Sequence, residues 1–591
     1  MLKRLIHRLA ARSAGKTVGT RDDAERLATA ARTALQKGDA DAAVHGFDAA
    51  LALQPARADW LALRAVGKAS VARLEEAEAD LRAAIRLSPR QASHHCDLGS
   101  VLRLRGEPVA ATAAYEASLA EDPLFDTARI NLASLWLDRD RPDLAEPLLR
   151  MVLVRDPRNE AVLADLDFIW RRTRRHDAAR EALLELVATD AQNGPAHRML
   201  GILLRMHFGG GEPAAQHLAR AHELGAATAD SHAEFGVVLQ ESGRLDAAFA
   251  SFDRALKLDP GHVPARFQRA VCNLLAGRFR NAWDDYELRL QSEDRPPRAF
   301  GLPRWDGSFD RKATVLVHAE QGIGDEIMFA SCIEEVSERV GHVVIDCAPK
   351  LERIFRRSFP WATVHGGSTF DGTAWTASAP RCDFAIPAGS LPRLFRRDEA
   401  DFPVRENYLC ADPVAVARWR ARIAALGPGM NVGISWRGGT RQSRSADRTI
   451  ALPALGPLFS IEGIRFVSVQ YDDSAAEVEA FAHASGRRVW RFPDLSTDDC
   501  EETAALVSAL DVVVSVCTAV IHLGGALGRP VIVLAPQVPE WRYGISAEKM
   551  PWYSSVTVLR QLRRGDWQDP IERASRMLAA RCNGPIGHPP R

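Results

Sequence analysis

The sequence predicts a multidomain protein, an all-α helical repeat array followed by an α/β region of two parallel-sheet lobes. Three observations carry this. Prolines at 55, 89, 123 and 157 stand 34 residues apart, each closing a helix-end phrase (LQP, LSP, EDP, RDP). Pro296, Pro297 and Pro303 then mark a change from Ala/Leu/Arg-rich helical sequence to strand–loop–helix alternation. Finally, residues 314–330 read T-V-L-V-H-A-E-Q-G-I-G-D-E-I-M-F-A, a β-branched run, a two-glycine turn and an apolar-periodic helix start.

Within the period, small and aromatic residues recur in register. Gly99, Gly106, Ala111, Tyr115 and Pro123 of one unit match Gly236, Gly243, Ala248, Phe252 and Pro260 of another. Ala270, Gly277, Ala282 and Tyr286 begin one more, and Pro260 follows Pro157 by 103 residues, three periods plus one. Each unit reads as a helix hairpin. Small residues let its helices approach, the aromatic fills the gap to the next hairpin, and proline ends the second helix. About eight units fit between residues 22 and 294. Two near 158–226 are degenerate: Ala191 replaces proline, and His207-Phe208-Gly209-Gly210-Gly211 loosens a turn. Stacked hairpins bury their faces on one another and form a superhelix with a concave groove. Such a groove suits a protein or peptide; a spacer or dimerisation element is the alternative.

At 591 residues the chain exceeds what one core can hold. Its 76 basic and 76 acidic residues cancel, which argues against a nucleic-acid partner. Only 8 of the basic residues are lysine, so phosphate contacts fall to arginine or backbone N–H groups. The 9 cysteines are scattered without a C-x-x-C, as suits reduced thiols in a cytoplasmic protein and no zinc site. The longest apolar run, 512–521, falls short of the ~20 residues a spanning helix needs. In the basic segment 1–21, Leu2, Leu5, Ile6 and Leu9 share a helical face among Lys3, Arg4, Arg8 and Arg12. It reads either as a frayed helix or as a peripheral membrane contact.

In the first lobe, 295–427, strands are expected at 314–318, 343–347 and 382–386. Pro428-Gly429 opens the second lobe, 428–591, with strands expected at 431–436, 464–470, 488–492, 511–515 and 530–535. A helix at 566–580 is expected to return across both lobes. The turn after residue 318 lies where open α/β proteins bind ligands, at the carboxyl edge of a parallel sheet. Gly322 and Gly324 remove Cβ atoms that would hold a substrate off the backbone. The spacing is G-x-G-D, not G-x-G-x-x-G, so the dinucleotide fingerprint is not matched and the Asp325 carboxylate needs a role.

Several segments carry a family resemblance: W-D-G at 305–307, H-A-E-Q-G-I-G-D-E at 318–326, S-V-C-T-A-V-I-H-L-G-G-A-L-G-R-P at 515–530, then W-R-Y-G and P-W-Y. With the 34-residue period they resemble bacterial tetratricopeptide-repeat glycosyltransferase proteins. The catalytic lobes of that family are similar to heptosyltransferases and share a layout with O-GlcNAc transferase. The resemblance implies the glycosyltransferase-B (GT-B) architecture, two Rossmann-like lobes around a cleft. It implies inverting, metal-independent transfer from a nucleotide sugar, with no cofactor, to a hydroxyl of a protein recruited by the repeats. Some proteins of this layout modify flagellin. Transfer to a lipid or lipopolysaccharide acceptor is a second reading, and a repeat scaffold with inactive lobes a third. After residue 300 there is no D-x-D, which leaves the divalent-metal route without support.

Asp325 is the expected base, because in the resembling heptosyltransferases the Asp of the G-D turn faces the acceptor and the donor carbon. General-base work contributes typically ~10²–10⁴-fold. A helix cap would suit the position equally well. Glu320 and Glu326 are reserve carboxylates, and His318, inside the strand, reads as a core histidine. For the donor, Ser515-Val516-Cys517-Thr518 leads into a helix containing His522, Gly524, Gly525 and Gly528. Its N-terminus offers N–H groups to a diphosphate, Thr518 adds a hydroxyl, and His522 faces the same side unless it packs inside. Relatives often carry Asp at the position of Cys517. Trp436-Arg437-Gly438-Gly439 ends the second lobe's first strand, with Arg441, Arg444 and Arg448 beyond. Heptosyltransferases place a lysine here; none occurs between Lys350 and Lys549, so Arg437 or Arg448 would substitute, in a loop that also reads as merely basic and solvated. Gln470, at a strand end, is expected to read the nucleotide base.

Overall fold

The computed structural model describes residues 21–291, 298–367, 372–439, 445–471, 473–495 and 499–583. The basic segment up to residue 20, Pro296-Pro297, Arg441 and Arg444 lie outside the described residues. The chain divides into two compact units, one ending at Ala227 and one beginning at Thr228. The division falls inside the repeat region, not at the proline linker. Among the described residues, no helix is long and apolar enough to cross a membrane.

The first unit is built of helix hairpins. Arg21–Gln36 pairs with Ala40–Leu53, Ala58–Ser70 with Leu74–Leu87, Ala92–Leu104 with Pro108–Glu121, and Asp126–Asp138 with Pro142–Arg155. The two degenerate units also fold as hairpins, Glu160–Arg172 with His176–Thr189 and Gly194–His207 with Gly211–Glu223. Each second helix ends two residues before the periodic proline. The residue before the proline (Gln54, Ser88, Asp122, Asp156 or Asp259) has φ between −124° and −141° and ψ between 76° and 99°, outside the α region that a following proline disfavours. At Ala191 the ring is missing, yet Asp190 holds the same geometry, with φ −134° and ψ 91°. Its carboxylate accepts from the Gln192 N–H, and Asn193 caps the next helix by accepting from Ala196 N at 3.0 Å.

The turn inside each hairpin obeys the same period. Gly38, Ala72, Gly106, Asp140 and Arg174 all have positive φ, and Gly243 and Gly277 continue the series in the second unit. A Cβ on Gly38, Gly106 or Gly277 would meet nothing within 4 Å, so these glycines answer to backbone conformation alone. Gly99 answers to packing: its Cβ would lie 2.6 Å from the Tyr115 ring, and that of Gly236 2.5 Å from Phe252. The aromatic therefore fills the gap inside its own hairpin and also joins the next one: Tyr115 shares a core with Ala128 and Leu132, and Phe252 with Cys272.

The second unit opens with one more hairpin, Ala229–Glu241 with Leu245–Leu258, and the helix Val263–Leu275. The helix that should complete the last repeat is broken into the short turns Phe279–Asn281, Trp283–Tyr286 and Glu287–Gln291. Phe279, Trp283 and Tyr286 are buried in the same core as Ile327, Phe329 and Trp541 of the α/β region.

Two sheets follow. The first has β1 (Asp310–His318), β2 (Val340–Cys347), β3 (Thr363–Gly366) and β4 (Phe384–Pro387), all parallel, in the order β3-β2-β1-β4. The second has β5 (Met430–Ser435), β6 (Ile464–Ser468), β7 (Val489–Trp490), β8 (Val512–Val516), β9 (Val531–Ala535), β10 (Lys549–Met550) and β11 (Tyr553–Arg560). Their order is β10-β11-β9-β8-β5-β6-β7, antiparallel only at β10–β11. Every residue of β8 and β9 is buried, as expected of parallel strands covered on both faces. Strands β3, β10 and β11 add to those expected from sequence. The helix Gln568–Asn583 does not return across both lobes: Ile571, Ala574 and Leu578 join the second lobe's core with Val432 and Leu534.

Candidate active site

Strand order reverses beside β1 in the first sheet and beside β5 and β8 in the second, and ligand crevices form at such switch points. The apolar run 315–317 buries β1. Gly322 then caps the helix Ile323–Phe329, with Asp325 in its first turn and Asp325 N–H donating to Gly322 O at 2.8 Å. After β8, Thr518 precedes the helix Ala519–Ala526. These two helices meet where Gly324 stands: its Cβ would come 3.1 Å from the His522 ring and 3.6 Å from Ala519 Cα. The glycine thus serves the approach of one lobe to the other. Gly438 does the same inside the second lobe, where a Cβ would sit 2.5 Å from Thr518.

The lobes enclose a cavity of about 720 Å³. From the first lobe it is lined by Gly322, Gly324, Asp325 and Lys350; from the second by Arg448, Gln470, Tyr471, Thr518, His522, Glu540, Arg542 and Tyr543, among others. The structure thus gathers Gly322, Gly324, Asp325, Arg448, Gln470, Thr518 and His522 of the residues singled out from sequence. It also brings Lys350 to the cavity from the first lobe, although the sequence offers no lysine in the second lobe before Lys549.

Four expected residues do not line it. Glu320 is turned away into an ion pair with Arg289, whose Nε lies 3.1 Å from its Oε1. Trp436 is fully buried and donates to Glu477 at 3.1 Å, and Arg437 pairs with the same carboxylate at 2.6 Å. Gly525 lies under the Tyr553 ring, 2.5 Å from where its Cβ would be. Of the other candidates, Glu326 is buried on the far side of its helix, accepts from Ala348 N, and is pushed up to about 7 by burial. His318 is a core histidine, pushed down to about 4 by the same cause.

Three cavity residues behave differently from expectation. Gln470 ties strand ends together: its Oε1 accepts from Ser435 Oγ, Trp436 N and Arg437 N, and its Nε2 donates to Arg437 O at 3.0 Å. Its carbonyl is therefore not available to a base. His522 has Nδ1 3.0 Å from Tyr553 OH and Nε2 3.4 Å from Tyr543 OH. Burial pushes it down to about 4, so at neutral pH it brings no charge to an anion. Cys517 is wholly buried and its thiol raised by burial, so only its carbonyl takes part, accepting from Arg448 Nη1 at 3.4 Å.

Sequence reasoning missed Arg542 and Glu540. Arg542 is partly buried and donates to Asp325 Oδ1, joining the two lobes across the cavity. Its guanidinium lies 5.1 Å from the Trp541 ring centroid. Glu540 Oε1 lies 2.7 Å from Arg448, while its Oε2 is buried with no hydrogen-bond partner among the described residues. The W-R-Y-G segment was the available signal, but nothing in its local spacing ties it to the G-D turn.

Comparison with known proteins gives the following. A tetratricopeptide-repeat model matches residues 69–124, 106–160 and 234–298. The protein FlbA of Caulobacter vibrioides is 30% identical over 354 residues, which is 57% of this chain. The chain spans 59% of the length of that relative. The solved pilF protein of Pseudomonas aeruginosa is 18% identical with a TM-score of 0.30, covering 42% of this chain and 98% of its own. A tetratricopeptide repeat protein from Parabacteroides merdae is 16% identical with a TM-score of 0.29, covering 42% and 98%. The chain therefore joins tetratricopeptide repeats to an α/β region built on two largely parallel sheets.

Proposed function

We propose that this protein is an inverting, metal-independent glycosyltransferase of GT-B layout, acting on a hydroxyl of a protein recruited by the repeats. One observation carries the reading: Asp325 on one lobe faces Thr518, Arg448 and Arg542 on the other across a single cavity. The donor diphosphate lies at the N-terminus of the helix Ala519–Ala526, where free N–H groups, the Thr518 hydroxyl and the arginines receive it. Asp325 takes the proton of the acceptor hydroxyl as its oxygen bonds to the anomeric carbon. The carbon–phosphate oxygen bond breaks, and its electron pair leaves with the diphosphate. The repeats serve as the recruiting surface, since such arrays commonly bind proteins. Flagellin is the first acceptor to try, given the resemblance and the flagellar-type name of the Caulobacter relative.

Incubation of the full chain with a panel of nucleotide sugars and flagellin, read by intact mass, tests this. One added glycosyl unit is expected, and Asp325→Ala should slow its appearance by about 100-fold or more. Undiminished turnover in that variant would remove Asp325 as the base. A binding scaffold is the second reading, favoured by the buried thiol at Cys517 where relatives carry a carboxylate. Calorimetry showing no affinity for any nucleotide sugar would select it.

A further inference from the structure

The cavity contains two arginine–carboxylate pairs of different kinds. Arg448 and Glu540 both belong to the second lobe. Asp325 and Arg542 come from different lobes, and each is mostly buried. The loop that carries Arg542 is held firmly. Trp541 packs edge-on against Trp283 and Tyr286, with ring centroids 5.8 and 5.7 Å apart. Tyr543 reaches His522 on the next turn of the wall.

A carboxylate oxygen that accepts from a guanidinium is occupied, and a proton cannot be taken there until the guanidinium leaves. Phosphate is the natural competitor for that guanidinium, being planar-fork compatible and more highly charged. Resting on the transferase reading above, Asp325 has to be basic when the acceptor attacks. We propose that Arg542 is a phosphate-responsive latch on Asp325: the donor diphosphate takes the guanidinium, and this releases the carboxylate to act as base. Donor binding then precedes productive acceptor binding. With Arg542 turned to the diphosphate, the Asp325 oxygen that held the guanidinium is vacated and can accept the proton of the incoming hydroxyl. An acceptor arriving first finds the carboxylate occupied.

Inorganic pyrophosphate is the probe, titrated calorimetrically into the full chain. Asp325→Asn removes the competitor for Arg542 and should bind pyrophosphate about five- to ten-fold more tightly than wild type. Arg542→Gln should bind it about ten-fold more weakly, with Arg542→Lys between, since lysine keeps the charge but not the fork. Loss of repulsion alone would tighten binding by the same factor in an Arg542→Gln chain, so the latch requires that the gain from Asp325→Asn vanish when Arg542 is Gln, and its persistence there overturns the latch. Absence of tightening in Asp325→Asn, or of pyrophosphate binding by wild type, overturns the latch. Tightening in a protein that transfers no sugar from any nucleotide sugar would instead sink the transferase reading and leave the latch standing. Sugar transfer by wild type without tightening would sink the latch alone.

Discussion

Trp283 of the last repeat meets Trp541 of the second lobe edge-on, with interplanar angle 84°, and donates its indole N–H to Arg396 O at 2.7 Å. The final repeat is thus built into the α/β core, which gives a direct expectation. Trp283→Ala should destabilise the second unit by about 3–5 kcal/mol, the usual cost of emptying a buried tryptophan site. Chemical denaturation of the full chain would measure it. A fragment starting at residue 298 loses Phe279, Trp283 and Tyr286 from the core and should elute as aggregate or fail to show a cooperative melt.

Glycines of the repeats should fall into two classes. Gly99→Ala places a methyl against Tyr115 and should cost about 1–3 kcal/mol, relieved when Tyr115 is shortened to Leu in the same chain. Gly106→Ala meets no atom, but its φ of 75° should still cost roughly 1 kcal/mol. Shortening Tyr115 should leave that second penalty unchanged. Thermal melts of wild type, the three single variants and the two double variants separate the two causes.

The same turn position predicts a gain. Ala72 and Arg174 have φ of 60° and 54°, where a side chain is strained. Ala72→Gly and Arg174→Gly should each stabilise the first unit by about 0.5 kcal/mol, the strain relieved less the extra chain entropy of glycine. A lower melting temperature in both would contradict the strain argument.

Acid sensitivity follows from buried titratable groups with opposing signs. His318 and His522 are pushed from 6.5 to about 4 by burial. The unfolded chain takes up their protons first, so their stabilising contribution is complete above 6.5 and is lost as pH falls toward 4. Glu326 is raised from 4.5 to about 7, so the folded chain holds its proton longer and stability falls as pH rises through that window. Within the second unit, where all three lie, these two histidines oppose this one carboxyl in the pH range where they overlap, and a net loss on acidification is expected. Glu326→Gln should steepen that loss and abolish the alkaline one, as read from urea midpoints between pH 5 and 8.

Legibility differed from element to element. The repeat hairpins were readable because a helix end, a tight turn and a close helix contact are local demands repeated every 34 residues. Even the degenerate units obeyed them: Asp190 and Asn193 make the same side-chain hydrogen bonds that Asp122 and Asn159 make beside prolines. Strands β8 and β9 were readable from continuous apolar runs. Strands β10 and β11 were missed because their sequence, half-buried and interrupted by Pro551-Trp552, lacks such a run.

The candidate site divides along the same line. By itself the sequence determined the turn that carries Asp325 and the strand–helix joint that carries Thr518, because each is a short run of residues with its own spacing. Only the tertiary structure decided which charges meet there. Asp325 and Arg542 are 217 residues apart, Lys350 arrives from the first lobe and not the second, and Glu320 is drawn off by Arg289. Ion pairing depends on distance in space and on exclusion of water, and neither is written in the local order of residues.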